Sequence, residues 1–557
     1  MAQIIKQTVH EWSQTVTCGL LYNFCYTRSS QEDNPLFEII RPYITKDEPF
    51  GPIDSVDIDS KDIDVMKGLF ERHNWLYKNL HHRPSIIIGR KGSGKTYYLR
   101  TVFFDKQYDF YTEIRTAHVL GHISSVIQGM TKGAVFPETL AELWETILWT
   151  CVLSEICKYS LLSSERLSIV NSYLQKVNVK DSDTVDDVLW KLANIIDEVM
   201  RADPRDGVSE ILRRFDRVTF DDAKTAVLEG LTYSKKSFVI LMDSLDDFQL
   251  EIDSVSLSLQ GLLKFVGSMN KPRDVVDIRF CLPAELFRRI IRISSNPNKD
   301  FRRALKLQWT ASELVLIGAQ RLMYYLALYY PGFFKAMSPL DLTKRADALT
   351  LFHAVLPEKI ANQAGFQEET MSYILRHTQL LPRHFLMLLN SIFKVSGNPG
   401  SHPFPISAEK ITSGIRKVEE YIVSEIFVAF KLTYPSAEES CKRCLPELAH
   451  KFSVGELHQV FTRHGKAVFD GDNFFDFQRM LMEMGALGRV APGKETDVYI
   501  KGNFEYTVSH ELTISHDDEL CIHPLFSGIF SNSARKDRPV YPYGSVFEDE
   551  DYRDSFE

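Results

Sequence analysis

A sustained apolar run is missing from this sequence of 557 residues. Its most apolar stretch, Leu314 to Phe334, is broken by Gln320, Arg321 and Pro331, so it predicts a buried helix rather than a membrane span. The first residues, Met1-Ala2-Gln3-Ile4-Ile5-Lys6-Gln7, lack the apolar core of a secretion signal. A cytoplasmic protein without membrane contact is expected. Cysteine is sparse: eight are scattered through the chain, which excludes a disulfide frame as the source of stability. Only Cys441-Lys442-Arg443-Cys444 has metal-ligand spacing, and beyond His450 and Cys521 nothing is at hand to complete a zinc site. Positive charge is also short: 65 Lys and Arg against 74 Asp and Glu leave a net charge of −9. No global field draws nucleic acid, so any such contact must come from a local patch. Toxin, nuclease and membrane-effector motifs are absent, which makes any effector a separate chain. What remains is ordinary globular composition, 44% hydrophobic and 25% charged, in a chain long enough for about three or four domains.

Against this background one pattern stands out. Gly89-Arg90-Lys91-Gly92-Ser93-Gly94-Lys95-Thr96 fits the P-loop spacing G-x-x-x-x-G-K-[ST] and directly follows Ser85-Ile86-Ile87-Ile88, where a buried strand should turn into a helix. Glycines let the backbone curl so that successive N–H groups point at a phosphate chain, and the new helix presents its positive end to the same oxygens. Gly89 through Thr96 are the candidate nucleotide contacts, with Lys95 reaching the β- and γ-phosphates and Thr96 ligating Mg²⁺. ATP and Mg²⁺ are the expected cofactors. Further on, Phe238-Val239-Ile240-Leu241-Met242 reads as a strand covered on both faces, and Asp243 ends it at the edge where ligands gather in open α/β sheets. Its carboxylate is expected to hold, through water, the Mg²⁺ ligated by Thr96.

The expected class is α/β, a parallel sheet with a large helical insertion and smaller modules behind it. Residues 1–64 form a lead-in whose acidic stretch from Asp54 to Asp64 reads as a solvated loop before a helix near Met66 to Leu80. Residues 65–309 form the nucleotide core, with helical periodicity dominating about 115–236: Leu143, Ile147, Cys151 and Val152 share one face, and Val185, Leu189, Leu192, Ile196 and Val199 another. Trp144 and Trp190 are assigned to the core with them. Val275 to Leu282 is a further strand, and residues 304–308 supply a fifth. Residues 310–397 read as helical, and Gly and Pro between Asn398 and Pro405 mark a linker. From 407 to 530, a helix opened by the capping box Ser453-Val454-Gly455-Glu456 precedes a helix over Asn473–Met484. A hairpin over Leu487–Val490 and Thr496–Ile500 follows. This is the order of a winged helix. Residues 531–557 read as a flexible acidic tail.

Together the glycine-rich loop, the distant strand ending Asp243-Ser244-Leu245-Asp246-Asp247, the helical lid and the winged helix resemble additional-strand P-loop ATPases. The likeness is to STAND NTPases and AAA+ proteins of the origin-recognition type, closest to bacterial P-loop ATPases of defence and mobile-element loci. Asn298-Lys299 through Trp309, Glu313-Leu314 and Arg321-Leu322 also look like the lid entrance of these bacterial ATPases. The resemblance implies an ATP-binding and ATP-hydrolysing switch that assembles into homo-oligomers and controls a partner or effector chain, in a setting such as antiphage defence. It implies Asp243 as the magnesium carboxylate. Ser244 stands where the pattern has a second acid, which leaves Asp246, and next to it Asp247, to orient water. Thr378-Gln379-Leu380-Leu381-Pro382-Arg383 resembles the lid motif whose arginine contacts the γ-phosphate, giving Arg383. The cluster Arg288, Arg289, Arg292, Arg302 and Arg303 lies where relatives project an arginine into the neighbouring subunit, with Arg302 or Arg303 favoured. The polar sensor at the end of the strand after Asp243 is replaced by Cys281-Leu282-Pro283, with Glu285 the one polar candidate nearby. A DNA-associated ATPase of the origin-recognition or transposition type is the alternative. Asp470, Asp472, Asp476 and Glu483 around the expected recognition helix speak against phosphate contact there.

Overall fold

In the computed structural model the described residues are 35–54, 57–58, 62–69, 83–101, 108–114, 121, 123–124, 127–128, 136–202, 207–243, 253–269, 275–362, 365–394, 404–471, 473–492, 498–508, 511–530 and 538–547. The chain builds a five-stranded, wholly parallel sheet from β1 (Ile86–Gly89), β2 (Phe110–Ile114), β3 (Phe238–Met242), β4 (Val276–Pro283) and β5 (Ala304–Lys306), in the spatial order β2-β3-β4-β1-β5. Every residue of β1, β3 and β4 is buried, as a sheet covered on both faces requires. Side chains alternate between the faces. Ile86, Ile88, Phe238, Ile240, Met242, Ile278 and Phe280 join one core, while Ile87, Val239, Leu241 and Cys281 join the other.

The first core is filled by the helical block between β2 and β4. Its members include α2 (Pro137–Cys157), α3 (Ser164–Lys176), α4 (Val185–Ala202), α5 (Arg217–Ser234) and α6 (Asp253–Ser268). Both expected stripes are buried except for the half-buried Val185, and so is Trp144. Trp190 is not: it is 66% exposed. It lies one residue past Leu189, about 100° round the helix, and so falls off the stripe that its neighbours define.

The second core joins α1 (Lys95–Arg100), the N-terminal segment, α8 (Ala311–Tyr329), α9 (Pro382–Phe393), α10 (Ala408–Phe430) and the C-terminal residues in one continuous cluster. A further helix, α7 (Ala284–Ile293), leaves the end of β4. The apolar stretch from Leu314 is the buried part of α8, opened by a Thr310–Glu313 capping box, and Pro331 starts a new helix. Among the described residues no helix is long and apolar enough to cross a membrane. The expected unbroken helical run from 310 is interrupted by a hairpin of β6 (Lys359–Ala361) and β7 (Gln367–Glu369). Pro357 before it and Gly365, at φ +88°, within its turn suit that reversal.

At the C-terminal end, α11 (Val454–Val460) carries the expected capping box and α12 (Phe474–Glu483) is capped by Asn473. Gly485, with φ +72°, follows α12. A second sheet has the order β12-β10-β9-β11-β8, from β8 (Lys451–Ser453), β9 (Leu487–Val490), β10 (Ile500–Asn503), β11 (Glu519–Ile522) and β12 (Val540–Pro542). The partner of β9 is Ile500–Asn503, which meets the expected 496–500 only at Ile500, and 493–497 lie outside the described residues. The expected loose tail also needs correction. Val540 and Tyr541 are buried, and β12 runs parallel to β10. The acidic run of the tail, from Glu548 on, lies outside the described part.

Candidate functional site

The Gly89–Thr96 loop leaves the C-terminal end of β1 and feeds α1. Gly92 and Gly94 adopt φ of +82° and +88°, left-handed values that glycine takes without a Cβ penalty. At Gly92 space is also short, because a Cβ would sit 2.9 Å from Cβ of Arg383. Lys95 is only 6% exposed and folds its Nζ back to donate to the carbonyls of Gly89, at 3.1 Å, and Arg90, at 3.3 Å. The Trp309 indole donates to the Ser93 carbonyl at 2.9 Å, and Glu285 Oε1 accepts the Lys91 N–H at 2.8 Å.

Thr96 and Asp243 meet. The Thr96 hydroxyl lies 3.2 and 3.4 Å from the two oxygens of the Asp243 carboxylate, although β4 stands between the strands that lead to them. Both sit where parallel strands end, the edge that open α/β sheets leave free for ligands. Next to them opens a cleft of about 890 Å³, counting its mouth, lined by Lys91, Gly92, Gly94, Lys95 and Thr96 on one side and by Ile53, Ile58, Trp309, Ile317 and Leu386 on the other. A polar corner and an apolar wall are what a ligand with both kinds of surface needs.

Compared with known proteins, the chain matches no family model and no curated protein. Its chemistry is carried by geometry alone. A hydroxyl beside a carboxylate is a pair of hard oxygens suited to a cation such as Mg²⁺, and a buried lysine on a loop with glycine-shaped N–H groups suits a polyanion.

The other expected site residues fare differently. Arg90 contributes backbone to the loop, but its guanidinium turns away from the cleft. It donates to the Glu483 carbonyl at 2.6 Å and lies over the rings of Phe430 and Tyr506, at 5.8 and 5.6 Å. Burial pulls its pKa down, against the opposing pull of Glu285 and other acids. Arg383 is brought to the loop: its backbone N–H donates to Gly92 O at 3.3 Å. Its guanidinium is held by Asp54 and lies 3.5 Å from Glu425. Arg303 is committed elsewhere. It pairs with Asp277 at 2.8 Å and donates to the Arg83 carbonyl, at the N-terminal edge of the sheet opposite the loop. A carboxylate buried at the start of β4 requires such a cation. Arg302 is exposed at the same edge. Arg288 pairs with Glu483, Glu505 and Glu511 at 3.1, 2.9 and 3.0 Å. Glu483 therefore faces inward from α12 rather than lining an outer surface. Asp246 and Asp247, with Ser244, lie outside the described residues.

Two contributors take places at the site that the sequence did not assign to them. Asp54 belongs to a stretch that reads as solvated loop, yet it lines the cleft. Arg321, 2% exposed, donates to the carbonyls of Phe50 and Pro52, both at 2.7 Å, and to Leu69 at 3.2 Å. Burial lowers its pKa to about 10. The turn signal Gly51-Pro52 was the available cue that the chain is bent at this point.

Proposed function

We propose that the chain binds Mg²⁺·ATP in the cleft beside Gly89–Thr96 and hydrolyses it, acting as a P-loop switch of the additional-strand kind. The observation that carries this reading is the approach of Thr96 to Asp243. Two residues 147 positions apart come together as a hydroxyl–carboxylate pair, next to a buried lysine, at the ligand edge of a parallel sheet. The order β2-β3-β4-β1-β5 adds support, since a strand between the loop-bearing and aspartate-bearing strands is what the class name describes. In this reading Lys95 leaves its two carbonyls for the β- and γ-phosphates, Thr96 and Asp243 hold Mg²⁺, and the apolar wall receives the base. Water is oriented for in-line attack by Asp246. The helices from Ala311 to Phe393 act as the lid, and the C-terminal module with α11, α12 and β9–β10 as a winged helix that passes nucleotide state to a second copy or an effector chain.

The test is equilibrium binding of ATP with and without Mg²⁺. The wild-type chain should bind in a Mg²⁺-dependent way, and Lys95→Ala should weaken binding at least about a hundredfold, the loss of a charge-assisted contact to two phosphates. Undiminished affinity in Lys95→Ala ends the proposal.

A further inference from the structure

The cleft contains a carboxylate that a phosphate-binding surface should avoid. Asp54 lines the same space as Lys95, Thr96 and Arg383, and it is placed there by anchors that do not involve its own side chain. Arg321 holds the carbonyls of Phe50 and Pro52 at 2.7 Å each. Asn390 of α9 takes the Phe50 N–H at 2.7 Å and gives a hydrogen bond to the Gly51 carbonyl at 3.0 Å. The chain from Phe50 to Pro52 is thus strapped to α8 and α9 by backbone contacts, and Asp54 is delivered to the rim just beyond.

Across from it, Arg383 follows Pro382 in the first turn of α9, with its side chain packed against Gly92. One guanidinium faces two carboxylates: Nη2 is engaged by Asp54, Nη1 lies 3.5 Å from Glu425, and Nε is buried without a hydrogen-bond partner. The charge of this guanidinium is thus already answered by carboxylates, so an arriving polyanion must displace one of them to use it. The two acids are not equally fixed. The side chain of Asp54 is 36% exposed and that of Glu425 19%, so Asp54 can return to water at small cost.

We infer that Asp54 is a built-in competitor of the terminal phosphate: its carboxylate occupies the Arg383 guanidinium until a triphosphate takes that guanidinium over. The inference rests on the Mg²⁺·ATP reading above and adds a positioning residue to it. The exchange swaps one oxyanion for another on the same planar donor, which presents its N–H groups to carboxylate and phosphate alike. A diphosphate, lacking the terminal group, leaves Arg383 with Asp54. The competitor therefore sets a threshold that distinguishes the two nucleotides.

The experiment compares affinities of the full chain for a non-hydrolysable ATP analogue and for ADP, both with Mg²⁺. The variants are Asp54→Asn, Asp54→Ser, Arg383→Gln, the double variant Asp54→Asn with Arg383→Gln, and Lys95→Ala. Asp54→Asn should tighten the triphosphate about tenfold, equivalent to about 1.4 kcal/mol, and leave ADP within about twofold. In the Arg383→Gln background the same change should have no effect, an outcome that a general loss of negative charge would not produce. Asp54→Ser should act in the same direction, which guards against poor folding of one variant. Equal tightening for both nucleotides, tightening that survives in the double variant, or unchanged triphosphate affinity in both Asp54 variants overturns the competitor while leaving ATP binding intact. Undiminished binding by Lys95→Ala removes the nucleotide reading itself, and the competitor falls with it.

Discussion

Gly92 and Gly94 carry nearly the same backbone angle, yet they should respond differently to substitution. A Cβ on Gly94 meets nothing closer than the Trp309 ring at 3.9 Å, whereas one on Gly92 meets Arg383 Cβ at 2.9 Å. Gly94→Ala bears only the left-handed backbone penalty, about 1–2 kcal/mol. Gly92→Ala adds a contact that must be relieved by moving the first turn of α9, for a total of about 2–4 kcal/mol. Thermal unfolding should place Gly92→Ala clearly below Gly94→Ala. Equal midpoints would mean that loop and α9 are not packed as described. The same contact explains why Arg383, unlike Arg303, belongs to the site: its position is set by the loop itself.

Among the elements, α2 and α6 form the tightest seam of the helical block. Gly261 on α6 lies so close to α2 that a Cβ there would come within 2.6 Å of Leu140 Cβ and 3.0 Å of its carbonyl carbon. Backbone on one side cannot yield as a flexible side chain can. Gly261→Val should therefore separate the two helices and destabilise the chain by about 2–4 kcal/mol. The midpoint of chemical denaturation reads this directly, and a shift below 1 kcal/mol would contradict the seam. Because the block covers the sheet face away from α1, its loss is expected to lower stability before it alters the cleft.

For the whole molecule the telling feature is the junction where the loop, α9 and the C-terminal sheet converge. Arg90 reaches from the loop to Phe430, Tyr506 and Glu483. Its charge is felt by the buried rings of His384 and His523. Burial lowers the pKa of His384 to about 3, assisted by Arg90 and Arg383. His523 and His377 shift downwards for the same first reason, with Glu419 opposing the shift at His377. The folded chain keeps the rings of His384 and His523 neutral, while the unfolded chain protonates them near pH 6.5. Stability is thus fully present above about pH 6.5 and falls on acidification, each such ring contributing up to about 1.4 kcal/mol per pH unit. Midpoints measured between about pH 7 and pH 4 should decline, and His384→Gln should flatten that decline. An unchanged slope in the variant would show that His384 is not held neutral.

Much of this arrangement was legible in the residue pattern. Apolar runs bounded by polar turns located β1, β3 and β4, helical stripes located α2 and α4, and a capping box located α11, because each rests on neighbours in the chain. The short strands β11 and β12 were not legible. Strands of three or four residues carry too little alternation to announce themselves, and they form because partners elsewhere need their hydrogen bonds. Trp190 likewise belongs to a helix that the pattern revealed, but its exposure depends on which face its neighbours cover.

Local spacing alone determined that a glycine-rich turn carrying Lys95 and Thr96 follows a buried strand, and that Asp243 ends another. Steric freedom at glycine and the period of apolar residues act over a few positions, so they can be read in order along the chain. Tertiary structure decided that Thr96 touches Asp243, that Arg90 leaves the cleft for Tyr506, and that Arg383 is claimed by Asp54. Those pairings join residues more than a hundred positions apart, and charges and buried donors choose partners by proximity after folding.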